Sequence, residues 1–141
     1  MTMTLEPQLH GPITRLMLAR YLVCSDDPNP VHVDEPFARS LGFPSVIAQG
    51  MVSYGWLAEM LTRAYGADNI RSLAARFSSP VFPGEEVTVG GTQTRRWVEG
   101  GSTFMELNVF ADVAGSHRMT GIAVVEVEKN EVNMDKEVES A

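Results

Sequence analysis

Two side chains capable of acid–base chemistry and one amide lie close together on a segment that two prolines interrupt. Asp27, Asn29 and His32 supply a carboxylate, an amide and an imidazole. Pro28 and Pro30 remove backbone donors and disfavour helix at the residues before them, so we predict a stiff, extended loop. A carboxylate and an imidazole on one water molecule let one group hold the oxygen while the other exchanges a proton. The segment therefore indicates water activation, with a purely structural turn as the alternative.

A second chemical group is predicted at the start of the longest helical stretch, which Gly50 opens. The first N–H groups of a helix have no partner within it, and the helix dipole makes them attractive to negative charge. Because glycine has no side chain to shield its N–H, Gly50 is a candidate donor to a carbonyl oxygen that gains charge during a reaction. Close packing of the helix is the alternative role for this glycine.

Both segments match the pattern of a known family. Residues 25–34 (SDDPNPVHVD), 47–51 (IAQGM) and 76–85 (RFSSPVFPGE) resemble the hydratase signature and the strand entry of MaoC-like dehydratases. The resemblance runs over about residues 9–128. It implies a hotdog fold, in which an antiparallel sheet wraps a central helix and two protomers join their sheets edge to edge as a homodimer.

The same resemblance implies an activity and assigns residues to it. The activity is (R)-specific hydration of an enoyl thioester of coenzyme A or acyl carrier protein, or the reverse dehydration, without a cofactor. Asp27 and His32 are assigned to the water, Asn29 to support of the site, and the Gly50 N–H to the thioester oxygen. Ser53, one helical turn after Gly50, is assigned to the same pocket.

The chain departs from the family at Gln49, where histidine commonly precedes the Gly-Met pair. Glutamine cannot take up a proton at neutral pH, but it still donates and accepts hydrogen bonds. Because the predicted acid and base lie on the 27–32 loop, we expect Gln49 to affect substrate positioning or choice more than the chemistry.

Two other functions stay open from the sequence. A hotdog thioesterase also polarises a thioester at a helix start, but it directs water to the carbonyl carbon. A non-catalytic subunit would stabilise a partner that carries the active residues. The 27–32 loop favours hydration over hydrolysis, and the presence of Asp27 and His32 disfavours the non-catalytic subunit.

The remaining sequence predicts the elements that position these groups. Helices are expected over residues 15–23 and 35–41 and from Gly50 to before Gly66, and strands over 70–77, 86–97, 102–112 and 117–128. Apolar residues recur at three- and four-residue steps after Gly50, which predicts a helix buried on most sides. Alternation in the last strand places Glu126 on a wetter face.

Helices followed by a run of antiparallel strands predict an α+β fold, a single domain with a long central helix against a curved sheet. We assign this domain to residues 1–128 and an acidic, disordered tail to residues 129–141. The two parts together make up the 141 residues of the chain.

Composition excludes several classes of function. A formal net charge of -7 argues against a nucleic-acid partner. The sequence has neither an apolar run long enough for a membrane span nor a signal-peptide pattern, so we expect no membrane partner and a cytoplasmic location. A single cysteine excludes a thiolate metal cluster, and His10 and His117 lack the paired spacing of a metal site.

Overall fold

An antiparallel sheet with helices packed against it forms the fold, which a computed structural model describes over residues 3–129. In chain order the elements are β1 (Thr4–His10), α1 (Arg15–Ser25), α2 (Glu35–Ser40), α3 (Gly50–Tyr65), β2 (Ile70–Phe77), β3 (Val87–Glu99), β4 (Ser102–Val113) and β5 (Ser116–Lys129). Single 3₁₀ turns occur at Pro30–His32 and Ala67–Asn69. The strand order across the sheet is β1-β3-β4-β5-β2, and every neighbouring pair is antiparallel. The predicted α+β architecture is confirmed.

The helices begin at the residues that the sequence marks as caps. Thr14 Oγ1 accepts a hydrogen bond from the N–H of Met17 at 3.1 Å, and Asp34 Oδ1 accepts one from the N–H of Phe37 at 3.2 Å. Each cap satisfies one of the backbone donors that a helix start leaves unpaired. The central helix α3 differs, because it starts at Gly50 without a side-chain cap.

One side of α3 packs into the core, and Val52, Tyr54 and Trp56 of the same helix are partly buried against it. The buried residues of this helix are Ser53, Leu57, Met60 and Leu61. Met51, on another side, is 49% exposed. The helix therefore presents one face to the sheet and leaves a second face open beside α1.

The strand prediction is right for four strands and misses one. β2 has the predicted bounds, and β3, β4 and β5 lie within two residues of theirs. The missed strand is β1, which contains Pro7 and little alternation. Its register with β3 shifts between Leu5 and Gln8, around the proline, and it lies at a sheet edge where a missing donor is tolerated.

Glu126 is buried, contrary to the expectation of a wet face. Its side chain is in an ion pair with the Arg71 guanidinium and accepts a hydrogen bond of 2.7 Å from the Ser102 hydroxyl. A carboxylate is tolerated in a buried position when charged and polar partners replace water. The pairing with Arg71 also joins β5 to the edge strand β2.

Strand β5 runs to Lys129. The rest of the predicted acidic tail, residues 130–141, lies outside the described residues. Within the described range, none of the helices is long and apolar enough to cross a membrane.

Candidate active site

Asp27 and His32, the predicted acid–base pair, lie next to each other. Asp27 Oδ2 lies 3.4 Å from His32 Nε2. The other ring nitrogen, Nδ1, lies 2.8 Å from the carbonyl oxygen of Ile47. A carbonyl oxygen only accepts, so Nδ1 carries the hydrogen, and a neutral His32 presents the lone pair of Nε2 towards Asp27. When His32 is neutral, two proton acceptors therefore face the space between these two side chains.

The backbone around these residues explains how they meet. Asp26 ends α1 in the left-handed region, with φ 52°, and turns the chain towards Asp27. Asn29 Oδ1 accepts from the N–H of Val31 at 3.1 Å and caps the 3₁₀ turn Pro30–His32. The prediction of an extended loop is therefore wrong for part of the segment. Asn29 starts a helical turn, and this turn carries His32 inward.

A cavity of about 400 Å³ adjoins His32 at the start of α3. Gln49, Gly50 and Ser53 line it together with His32, so four of the six predicted site residues share one cavity. Asp27 and Asn29 do not line it. Asp27 reaches it through its contact with His32, whereas Asn29 is exposed and its oxygen is used in the backbone turn.

Gly50 combines a tight contact with an unpaired donor. A Cβ built on this residue would lie 2.8 Å from two carbon atoms of the Phe77 ring, so the ring packs directly on the glycine. Within residues 3–129, no acceptor pairs with the Gly50 N–H. Close packing and an available helix-start donor, which the sequence left as alternatives, occur together.

Gln49 and Ser53 are the buried polar residues next to this donor, exposed by 2% and 5%. The side-chain nitrogen of Gln49 donates to the carbonyl oxygen of Leu18 in α1 at 3.0 Å. Its oxygen, Oε1, is buried and has no hydrogen-bond partner among the described residues. Gln49 therefore ties α1 to the start of α3 and keeps one acceptor unused at the cavity wall.

Phe77 and Arg118 are two of the cavity-lining residues that the sequence reasoning did not assign to the site. Phe77 belongs to the segment that resembles the family's strand entry, but nothing local indicates that it covers Gly50. Arg118 of β5 donates to the Pro80 carbonyl at 2.6 Å and pairs with the Glu85 carboxylate at 3.3 Å. These contacts join residues more than thirty positions apart, so no motif spacing could have indicated them.

The other histidines are engaged elsewhere. His10 stacks on Trp56 with ring centroids 4.7 Å apart, and His117 pairs with Asp112. Over the described range, no group of three or more potential ligands has the arrangement of a metal site.

Sequence comparison assigns the family. A family profile described as "MaoC like domain" matches residues 1–116. The chain belongs to the MaoC-like dehydratase family. It is 35% identical over 105 residues to an (R)-specific enoyl-CoA hydratase of Rhodospirillum rubrum, a match that covers 73% of this MaoC-like chain and 72% of that protein.

Other relatives are longer than this MaoC-like chain. The chain is 47% identical over 68 residues to 3-hydroxyacyl-thioester dehydratase Y of Mycobacterium tuberculosis, a match covering 45% of the chain and 23% of that protein. The matches to the first curated relatives span less than a third of those proteins.

Solved structures show the same fold. The (R)-hydratase of A. caviae superposes with a TM-score of 0.74 at 24% identity, covering 87% of this chain and 95% of that one. A chain of the ChsH1–ChsH2 complex of Mycobacterium tuberculosis superposes with a TM-score of 0.75 at 17% identity, covering 89% and 96%. The predicted hotdog fold is confirmed.

Proposed function

We propose that this chain adds water to a trans-2-enoyl thioester to give the (3R)-hydroxyacyl thioester, or catalyses the reverse dehydration. The single observation that carries the proposal is the placement of Asp27 Oδ2 3.4 Å from His32 Nε2, with Nδ1 occupied by Ile47. The names of the two curated relatives support the choice of reaction.

The two acceptors suit a water molecule better than a direct bond to each other. A water within hydrogen-bond distance of both atoms donates one hydrogen to each, which leaves an oxygen lone pair free for the substrate. Attack on C3 forms the new C–O bond, the alkene π pair shifts to form a double bond between C2 and C1, and the carbonyl π pair moves onto the thioester oxygen to give an enolate. The acid–base pair takes one water proton and returns a proton to C2, which restores the thioester.

The start of α3 provides for the charge that develops on the thioester oxygen. The unpaired Gly50 N–H lies at the positive end of a helix of sixteen residues. A preorganised donor of this kind stabilises the enolate more than the starting thioester, so it lowers the barrier. Ser53 adds a hydroxyl to the same wall one turn later.

The substrate carrier and the assembly follow from the same proposal. A thioester of coenzyme A or of acyl carrier protein would present the acyl group to the cavity. We propose a homodimer in which sheets join edge to edge, since β1 and β2 each have one edge without a partner strand among the described residues. Such a junction pairs the backbone donors and acceptors that an edge strand leaves free.

The test uses purified protein and crotonyl-CoA with two simultaneous readouts. Hydration removes the ultraviolet absorbance of the conjugated thioester without releasing a thiol, and this is the expected result. Appearance of free thiol instead would identify a thioesterase. The (R)-hydratase of A. caviae, assayed in parallel, serves as the positive control. If this control gives a clear signal and the present protein changes neither readout at the same concentration, the proposal is rejected in favour of a non-catalytic subunit.

A further inference from the structure

A groove of about 480 Å³ lies on the open face of α3, between this helix and α1. Its size is within the range typical of small-molecule sites. The lining is mainly apolar, with one cation and one anion, and includes Met17, Arg20, Tyr21, Val52, Trp56 and Glu59. The mechanism above uses none of these residues.

The groove adjoins the candidate active site through one side chain. Met51 lines both the groove and the cavity at Gly50, and it is 49% exposed. Methionine is unbranched and flexible, so it can change rotamer with little effect on its neighbours. Met51 is the one described residue that the linings of the two spaces share.

Gly55 keeps the groove open. A Cβ built on this residue meets no atom within 4 Å, so packing does not require a glycine here. A glycine inside a helix costs roughly 1 kcal/mol relative to alanine, and no turn or cap at Gly55 offsets this cost. What the missing side chain provides is space along the groove.

A hydrogen bond from a residue of the candidate active site holds α1 beside this groove. Gln49 donates from the residue before Gly50 to the Leu18 carbonyl of α1. The residue that departs from the family pattern therefore holds one wall of the groove against the start of α3.

We propose that this groove binds the distal part of a long or bulky apolar acyl group, whose thioester end reacts at Gly50. The inference rests on the proposed hydratase function and names its substrate class. Continuity through Met51 and the apolar lining favour an acyl chain over the pantetheine arm, whose amides would leave polar groups unpaired between these side chains.

The first test compares Gly55→Phe with Ala64→Phe, which places the same side chain on an exposed position of α3 outside the groove. Each methylene excluded from an apolar site costs about fourfold in binding, so we expect at least a tenfold loss of kcat/KM for trans-2-hexadecenoyl-CoA with Gly55→Phe. In Gly55→Phe, the kcat/KM for crotonyl-CoA and the thermal midpoint of unfolding should stay close to those of the wild type. Ala64→Phe should leave kcat/KM unchanged for both substrates.

Equal effects on both chain lengths, or none on either, would overturn the proposal. A change of oligomeric state in Gly55→Phe, measured by size-exclusion chromatography with light scattering, would show that a second copy covers the groove and would also overturn it.

The second test does not depend on turnover. The chain has two tryptophans, so Trp97→Phe leaves Trp56 as the only one. Saturated stearoyl-CoA brominated in the middle of its chain, used below its micelle concentration, should quench Trp56 emission, whereas unbrominated stearoyl-CoA should not. Absence of quenching would refute the proposal that the groove binds the acyl chain, even if the protein hydrates crotonyl-CoA. Quenching without hydration of crotonyl-CoA would refute the hydratase proposal but support acyl-chain binding in the groove.

Discussion

The Nδ1 atom of His32 lies 2.8 Å from the carbonyl oxygen of Ile47, and this contact determines which ring nitrogen faces Asp27. The backbone reinforces it, because the N–H of Ile47 donates to the carbonyl oxygen of Val31 at 3.2 Å. The loop that carries Asp27 and His32 is thus hydrogen-bonded to both the N–H and the carbonyl group of Ile47. Ile47 lies three residues before Gly50. The groups that we propose activate water and the N–H that we propose binds the thioester oxygen are therefore held in one fixed arrangement.

His32→Asn should separate the two functions of this imidazole. The amide nitrogen of asparagine can replace Nδ1 as the donor to Ile47, but nothing replaces Nε2. We expect kcat to fall by about 10²- to 10⁴-fold, the loss typical of a general acid or base. The free energy of unfolding, measured with urea, should stay near that of the wild type, whereas His32→Ala should lose about 1 kcal/mol with the hydrogen bond.

Asp27→Asn tests the proposed catalytic role of Asp27, with the adjacent residue Asp26 as a control. The change removes the carboxylate and keeps the shape, so kcat on crotonyl-CoA should fall by about 10²- to 10⁴-fold. Asp26→Asn is the matched control, because Asp26 is exposed and asparagine tolerates its left-handed conformation. Near-wild-type turnover in Asp27→Asn, or equal losses in both variants, would remove Asp27 from the mechanism.

The parts of the site that follow from neighbouring residues could be predicted from the sequence. The caps Thr14 and Asp34, the start of α3 at Gly50 and the approach of Asp27 to His32 all depend on contacts over a few positions. Local chemistry limits the chain to few conformations at such places. The reaction itself came from the family resemblance, since the loop alone is more typical of a structural turn.

The remaining features depend on residues far apart in the sequence. Burial of Glu126 is understandable only once Arg71 lies beside it, fifty-five positions earlier in the chain. The contact of Phe77 with Gly50 likewise forms only when β2 reaches the start of α3. Alternation along β5 could not distinguish a wet face from a buried carboxylate with partners, because both show the same polar residue.

Gly50→Ala should reveal the contact with Phe77 through a double-mutant cycle. The added methyl group meets the ring at 2.8 Å, which forces Phe77 to move and should cost about 1–3 kcal/mol of stability. In a Phe77→Ala background the clash is gone, so the same change should be close to neutral or slightly stabilising. Urea unfolding of the four proteins measures the coupling. Equal costs in both backgrounds would show that Phe77 is not what restricts this position.

Gln49→His restores the residue that is common in the family and tests what the departure does. An imidazole can still donate one hydrogen bond towards Leu18, but it is shorter and more rigid than glutamine, so α1 should shift against the start of α3. Because Asp27 and His32 are untouched, we expect turnover of crotonyl-CoA to continue, with a change in the ratio of kcat/KM between short and long enoyl thioesters. Gln49→Leu, which removes both the donor and the unpartnered Oε1, serves as the control for polarity. Complete loss of turnover in Gln49→His would show that this position takes part in the chemistry, and an unchanged substrate preference would show that it does not position the substrate.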